Sequence, residues 1–132
     1  MQKTVAFLAK DMTIASLVDQ RGDLHHIFPK KYLQEKGFSQ KLYNQVANYV
    51  EIGQHVNIKI GKKSPTEYME DIRKDIEIGK QELTDIQSLD QLISNIEEND
   101  LPKNFEKLEY SDFLERRRQL MAKRIKEYYK SL

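Results

Sequence analysis

The tetrapeptide Ser64-Pro65-Thr66-Glu67 does more than any other stretch to limit what this chain can become. Serine can accept a hydrogen bond from the third helical N–H, proline suits the first helical position, and glutamate completes the capping box. A helix is therefore expected to start here and run to about Lys80, with Tyr68, Ile72, Ile76 and Gly79 on one face. Two more follow. One runs from Ser88 to Glu98 with Leu89, Leu92, Ile93 and Ile96 repeating at helical spacing, and it stops before Asn99-Asp100-Leu101-Pro102. The last starts near Ser111, with Phe113, Leu114, Leu120, Met121, Ile125, Tyr128 and Leu132 on one side. The stripe residues Ile72, Ile76, Leu92, Ile93, Ile96, Leu120 and Ile125 are read as core.

Before Ser64 the pattern is different. Val5 to Ala9 is a short apolar patch that suits a strand or a helix end, and Thr13 can cap a brief helix, Ile14 to Asp19, closed by Gly22. Asp23 to Ile27 reads as an extended segment that must stop at Pro29, which has no N–H to give a ladder. Strand alternation would send His25 and His26 to opposite faces, so for both to serve one site a bulge or a strand end must re-aim one of them. Lys30 to Val46 is polar and lysine-rich and reads as a long connecting loop, with at most a short helix at Lys31 to Lys36. Ala47 to Ile52 alternates, is rich in β-branched and aromatic residues, and should form a strand ending at Gly53. Gln54 to Ile60 is then a short helix or turn carrying His55 and Asn57. The fold class expected is α+β and mostly helical.

At 132 residues the chain suits a single domain: a lead-in over 1–22, a core over 23–68 and a helical extension over 69–132. With 39% apolar and 33% charged residues it has the composition of a folded soluble protein. No apolar run reaches the length of a membrane span and residues 1–17 lack the parts of a signal peptide, so no membrane partner and a cytoplasmic location are expected. The absence of cysteine removes thiolate metal sites, and any metal must rest on His, Asn, Asp or Glu. Such ligands suit magnesium, manganese or a mixed nitrogen and oxygen site. Charge is segregated: residues 1–68 hold ten Lys or Arg against six acids, 69–112 five against thirteen, and 113–132 seven against two. The two end segments could face a polyanion; the middle one should not.

Within the basic first segment, two adjacent histidines and two later asparagines suggest phosphodiester hydrolysis. That reaction needs a base for the attacking water and positive charge near the departing 3′ oxygen. An imidazole can take the proton, and a divalent ion on another imidazole and an amide oxygen can supply the charge. His25, His26 and Asn57 meet this need if the second strand and the short helix bring Asn57 back beside the histidine pair.

The order His25-His26-Ile-Phe-Pro-Lys, Tyr43-Asn-Gln-Val-Ala-Asn48, then Asn57-Ile-Lys-Ile-Gly-Lys-Lys-Ser-Pro65-Thr-Glu-Tyr68 resembles the His-Asn-His nuclease domain at the C-terminus of GmrSD-type modification-dependent restriction enzymes. The tail from Tyr110 through Phe113, Arg116 and Arg117 to Tyr128 is similar to the closing helix of that domain. The likeness covers most of residues 12–132 and is most specific over 23–68. It implies a ββα-metal core with additional C-terminal helices. It also implies His25 and Asn57 as metal ligands, His26 as general base, and Asn48 as the asparagine that orders the loop and orients the base. The cofactor implied is a divalent ion, magnesium in the first instance or manganese. This chain has His25 where many relatives place Asp, and Asn57 where many place His; both keep a ligand atom. Such domains usually follow an N-terminal domain that binds and hydrolyses nucleoside triphosphate, so the chain is expected to be the C-terminal part of a larger protein.

The surrounding residues are read more plainly. His55 is expected to be solvated or to lie behind the ligands. Asn48 is expected to hydrogen-bond the backbone. Lys30, Lys59, Lys62 and Lys63 are candidates for phosphate contacts, with Lys31 beside them. Arg116, Arg117 and Arg118 are assigned to a solvated face, and Tyr32, Tyr43, Tyr49 and Tyr68 to packing. The function expected is a metal-dependent DNA endonuclease acting in restriction of foreign or modified DNA, with oligomerisation left open. The alternative is a catalytically silent nucleic-acid-binding or protein-interaction module of the same fold.

Overall fold

The computed structural model describes residues 6–10 and 23–132. The expected helix Ile14 to Asp19, with Thr13 and Gly22 at its ends, lies outside them.

Two four-residue strands, β1 (Asp23–His26) and β2 (Tyr49–Ile52), pair antiparallel with His25 opposite Val50 and His26 opposite Tyr49. Four residues is near the minimum for a strand, and the sheet needs support from outside. On one side Phe7 makes a parallel bridge to Ile52, its N–H donating to the Glu51 carbonyl at 3.0 Å. The Val5 to Ala9 patch contributes this one bridge among its described residues. Asn95 secures it from a distance: its side chain accepts from Leu8 N at 2.8 Å and donates to the carbonyls of Ala6 and Ala9.

Between the strands the short helix allowed at Lys31 to Lys36 is present, and a second one stands where only loop was expected. Helix α1 (Lys30–Glu35) and helix α2 (Gln40–Tyr43) bury Leu33 and Tyr43 respectively, with Gly37 between them at a φ of 90°. One buried apolar residue per helix is too few to display a period, and the lysines around them are solvated. The expected strand from Ala47 is also shorter. Val46–Asn48 forms a 3-10 turn and β2 starts only at Tyr49, although the Asn48 carbonyl still accepts from Ile27 N across the sheet.

Helix α3 (Gln54–Ile60) follows β2 directly, with Gly53 as its cap. Its end at Gly61 has a φ of 56°, a conformation that costs glycine little. Helix α4 (Pro65–Ile78) starts where the tetrapeptide predicts: Ser64 Oγ accepts from Glu67 N at 3.2 Å, and the Glu67 carboxylate accepts from the serine hydroxyl, at 3.0 Å, in place of the backbone N–H of a full capping box. It ends at Gly79 in the left-handed conformation. Helix α5 (Leu89–Glu98) is capped by Ser88 and stops at Asn99. Helix α6 (Tyr110–Lys130) closes the described chain.

Apolar side chains from Phe7 to Leu114 form one contiguous core, centred on Phe28, Tyr68, Met69, Ile72, Phe105 and Phe113. Phe28 lies 4.7 Å from Phe113 and 5.4 Å from Tyr110, ring centre to ring centre, which ties the residues after the histidine pair to α6. Two expectations about the core fail. Ile93 and Ile125 are exposed, and on α6 only Tyr110, Phe113, Leu114 and Arg117 are buried. Beyond Met121 the apolar residues of that helix are exposed, and Arg124 ties this half to Asp100 just after α5. The fold is α+β and mostly helical, and no described helix is long and apolar enough to cross a membrane.

Candidate active site

The histidines are the last two residues of β1 and both stay in register with β2, the buried His25 ring facing Tyr68 and the half-buried His26 ring facing Tyr49. Both line an open cleft of about 280 Å3, with Asn57 and Gly61 from α3 and its end, Leu24 and Pro29 beside the pair, and Lys30, Lys31 and Lys62 around it. No carboxylate lines the cleft among the described residues, and no three His, Cys, Asp or Glu side chains gather there or elsewhere among them.

His25 is buried, and its ring meets the Tyr68 ring edge-on at 6.0 Å. Burial pulls its pKa down to about 4; a hydrogen bond with Asn57 works in the opposite direction, and neighbouring His26 adds to the lowering. The imidazole is therefore neutral at pH 7, the form that can ligate a metal. Its Nε2 is buried with no hydrogen-bond partner, an orphaned polar atom whose burial costs free energy until something pairs with it. A metal ion is one group that could pair with such an atom, although three lysines line the same cleft.

His26 is half-buried and held by its neighbours. Its ring lies 4.6 Å from the Tyr49 ring, and its Nε2 is 2.8 Å from Asn44 Oδ1. The same oxygen accepts from the Tyr49 hydroxyl at 3.0 Å. An amide oxygen only accepts, so the contact puts the ring proton on Nε2 and leaves the lone pair on Nδ1. Asn44 was not singled out by the sequence. It lies eighteen residues from His26, and no local pattern marks it.

Asn48 is fully buried and uses its whole amide on backbone. Oδ1 accepts from Phe28 N at 2.8 Å, while Nδ2 donates to the carbonyls of Phe28 and Tyr43, each at 3.1 Å. Its own carbonyl accepts from Ile27 N at 2.7 Å, and the Tyr68 hydroxyl donates to the Ile27 carbonyl at 2.6 Å. The two residues that follow the histidines are thus gripped from two elements.

Other candidates fall elsewhere. Lys30 and Lys62 reach the cleft, but Lys59 and Lys63 do not. They line a separate small cavity with Val56, Asp71 and Leu83, because successive positions of α3 and its end point around the helix. Lys63 is ion-paired with Asp71 at 2.7 Å. His55 is exposed, with Nε2 3.3 Å from the Glu82 carbonyl. Arg117 is not on a solvated face. It is buried and donates to the carbonyls of Ala47, Tyr49 and Asn99, binding α6 to the start of β2. Arg118 reaches Gln45 Oε1 at 2.9 Å, and Arg116 is exposed.

The fold and site together define a mostly helical α+β protein whose small sheet ends in a histidine-, asparagine- and lysine-lined cleft. Among curated proteins it is similar to the uncharacterized protein MJ0686 of Methanocaldococcus jannaschii, with 45% identity over 56 residues. That stretch is 42% of this chain and 9% of the other, so the chain spans less than a tenth of that relative's length. No family model matches the sequence, and no solved structure matches it.

Proposed function

We propose that this chain is a metal-dependent endonuclease domain that hydrolyses DNA phosphodiester bonds. The observation that carries this reading is the meeting of His25, His26 and Asn57 in one cleft bordered by Lys30, Lys31 and Lys62. In this reading β1, β2 and α3 are the ββα-metal core, and His25 and Asn57 hold a divalent ion such as magnesium or manganese. When bound, the ion supplies positive charge beside the departing 3′ oxygen.

The chain's own groups do the rest. Lys30 and Lys62 hold the backbone of the DNA by contacts that ignore base sequence. His26 takes the proton of the attacking water at Nδ1, the nitrogen that carries the lone pair. Asn44 fixes that tautomer, and Asn48 fixes the backbone just beyond it. Nothing in the cleft reads a base edge, so the choice of foreign or modified DNA falls to an N-terminal nucleoside-triphosphate-binding domain of a larger protein. Action in the cytoplasm in restriction of invading DNA follows from that assignment.

A second reading has one observation in its favour. The Nε2 of His26 is already taken up by Asn44, as in a module that binds nucleic acid or protein without cutting. Plasmid nicking by the purified chain with magnesium, manganese or EDTA separates the two. Metal-dependent cutting that falls by about 10²–10⁴-fold in a folded His26→Ala variant is the expected result. Cutting that is unchanged in that variant overturns the assignment of the base. DNA binding without cutting under any metal favours the silent module.

A further inference from the structure

We propose that the free half of α6 docks on a second copy of this chain, laid along the exposed face of that copy's α5, with the same contact made in return.

The first ground is an apolar seam with nothing on it. Met121, Ile125, Tyr128 and Leu132 follow one another at steps of four, three and four residues, the spacing by which one helix meets another along its length. Met121 still packs on the core, but Ile125 is 58% and Leu132 83% exposed. Helix α5 shows a shorter stripe of the same kind. Leu89 and Ile93 stand one turn apart and are 42% and 52% exposed, while Leu92 and Ile96 are buried in the core.

Charge decides what each stripe can accept. The flank of the α6 stripe carries Lys126 and Lys130, one turn apart and exposed. On α5, Asp90 and Glu97 share the face of Ile93, three residues before it and four after, and both are exposed. The ion pairs among the described residues use none of these four. Two α6 helices side by side would set lysine against lysine, and two α5 helices acid against acid. Crossing α6 of one copy with α5 of the other joins apolar stripe to apolar stripe and unlike charge to unlike charge. A nucleic acid would satisfy the lysines but leave Ile125 and Leu132 bare, and it has no use for the acid-flanked stripe on α5.

Placement allows both contacts at once. Arg124 bonds the Asp100 carboxylate at 2.6 Å and donates to the carbonyls of Glu97 and Glu98, so the free half of α6 departs from the C-terminal end of α5. The two stripes therefore belong to adjoining elements of one copy. A twofold axis between copies then lets each stripe meet its complement, which makes a closed, isologous pair. The histidine cleft takes no part, since no residue of α5 or α6 lines it.

Sedimentation of the whole chain in the analytical ultracentrifuge tests this, with circular dichroism to check that each variant is folded. Wild type is expected to dimerise reversibly, and the dimer to weaken by about tenfold or more as salt rises to about 0.5 M, because the joined charges are screened. Lys126→Glu with Lys130→Glu makes the α6 flank acidic, and Asp90→Lys with Glu97→Lys makes the α5 face basic. Each double variant alone should dimerise at least about tenfold more weakly than wild type. An equimolar mixture of the two should dimerise as wild type does, since both crossings in the mixed pair again join unlike charges. Should a double variant not fold, Ile125→Ser on the exposed seam should weaken the wild-type dimer by about tenfold.

A wild-type chain that stays monomeric at about 100 μM overturns the inference. So does a dimer that the α5 double variant leaves intact, a mixture that fails to restore dimerisation, or a dimer indifferent to Ile125→Ser. A monomer that binds a short DNA duplex, and loses that affinity in the α6 double variant, gives the helix to nucleic acid and overturns it as well.

Discussion

Replacing Asn48 by alanine removes three hydrogen bonds at once: one accepted from Phe28 N and two donated to the carbonyls of Phe28 and Tyr43. Phe28 is buried, so its N–H cannot turn to water in place of the lost acceptor. Orphaning a buried donor costs about 1–3 kcal/mol and each lost donation about 1 kcal/mol, so the total loss is about 3–5 kcal/mol. Against a domain stability of about 5–15 kcal/mol that is a large share. Urea unfolding followed by far-ultraviolet circular dichroism should show the midpoint falling with little change in slope, the sign of lost stability without a changed denatured state. Asn48→Asp should be no milder, because it keeps the acceptor but loses both donations and buries a charge. A loss below about 1 kcal/mol in Asn48→Ala would refute the reasoning, since it would mean that the chain after the histidines holds its path without this amide.

The His25 imidazole sets an acid limit on stability. Its folded pKa, about 4, lies below the unfolded value of 6.5, so the unfolded chain binds the proton more readily. Stability is complete above the unfolded value and falls as pH drops through 6.5 towards 4, by about 3 kcal/mol in all, and His25→Asn should flatten that part of the profile. Arg117→Ala should cost about 3 kcal/mol in the same unfolding assay, and lysine should rescue it poorly because one ammonium cannot span three carbonyls set for a guanidinium fork. Lys62→Ala should weaken DNA binding and lower the slope of log affinity against log salt by about 1, whereas Lys63→Ala should leave that slope unchanged. Fluorescence anisotropy across a salt series reads both.

Local signals carried the second half of the fold. Ser64 and Ser88 cap helices α4 and α5, and Gly79 ends α4, because capping chemistry lies within a few residues of sequence. Helices α1 and α2 carry no comparable signal. Each buries a single side chain and is held by the contact it makes once the core exists. The histidine pair and Asn57 were legible as a possible constellation, but the residues that hold His26 were not. Arg117 looks the same as its two neighbours until carbonyls about seventy residues away are in place around it. The exposed end of α6 shows the opposite case, a repeating apolar pattern that continues past the last residue available to cover it.

The grip on Ile27 and Phe28 is made almost wholly on main-chain atoms, by the Asn48 amide, the Asn48 carbonyl and the Tyr68 hydroxyl. A support of that kind does not depend on which side chains stand just upstream of it. Position 26, half-buried just upstream of that grip, is therefore a place where the side chain can be exchanged while the path of the chain stays the same. Position 25 is different, because its ring is buried against Tyr68 and a carboxylate there would be a buried charge. A lineage, or a designer, would retune the cleft first at position 26.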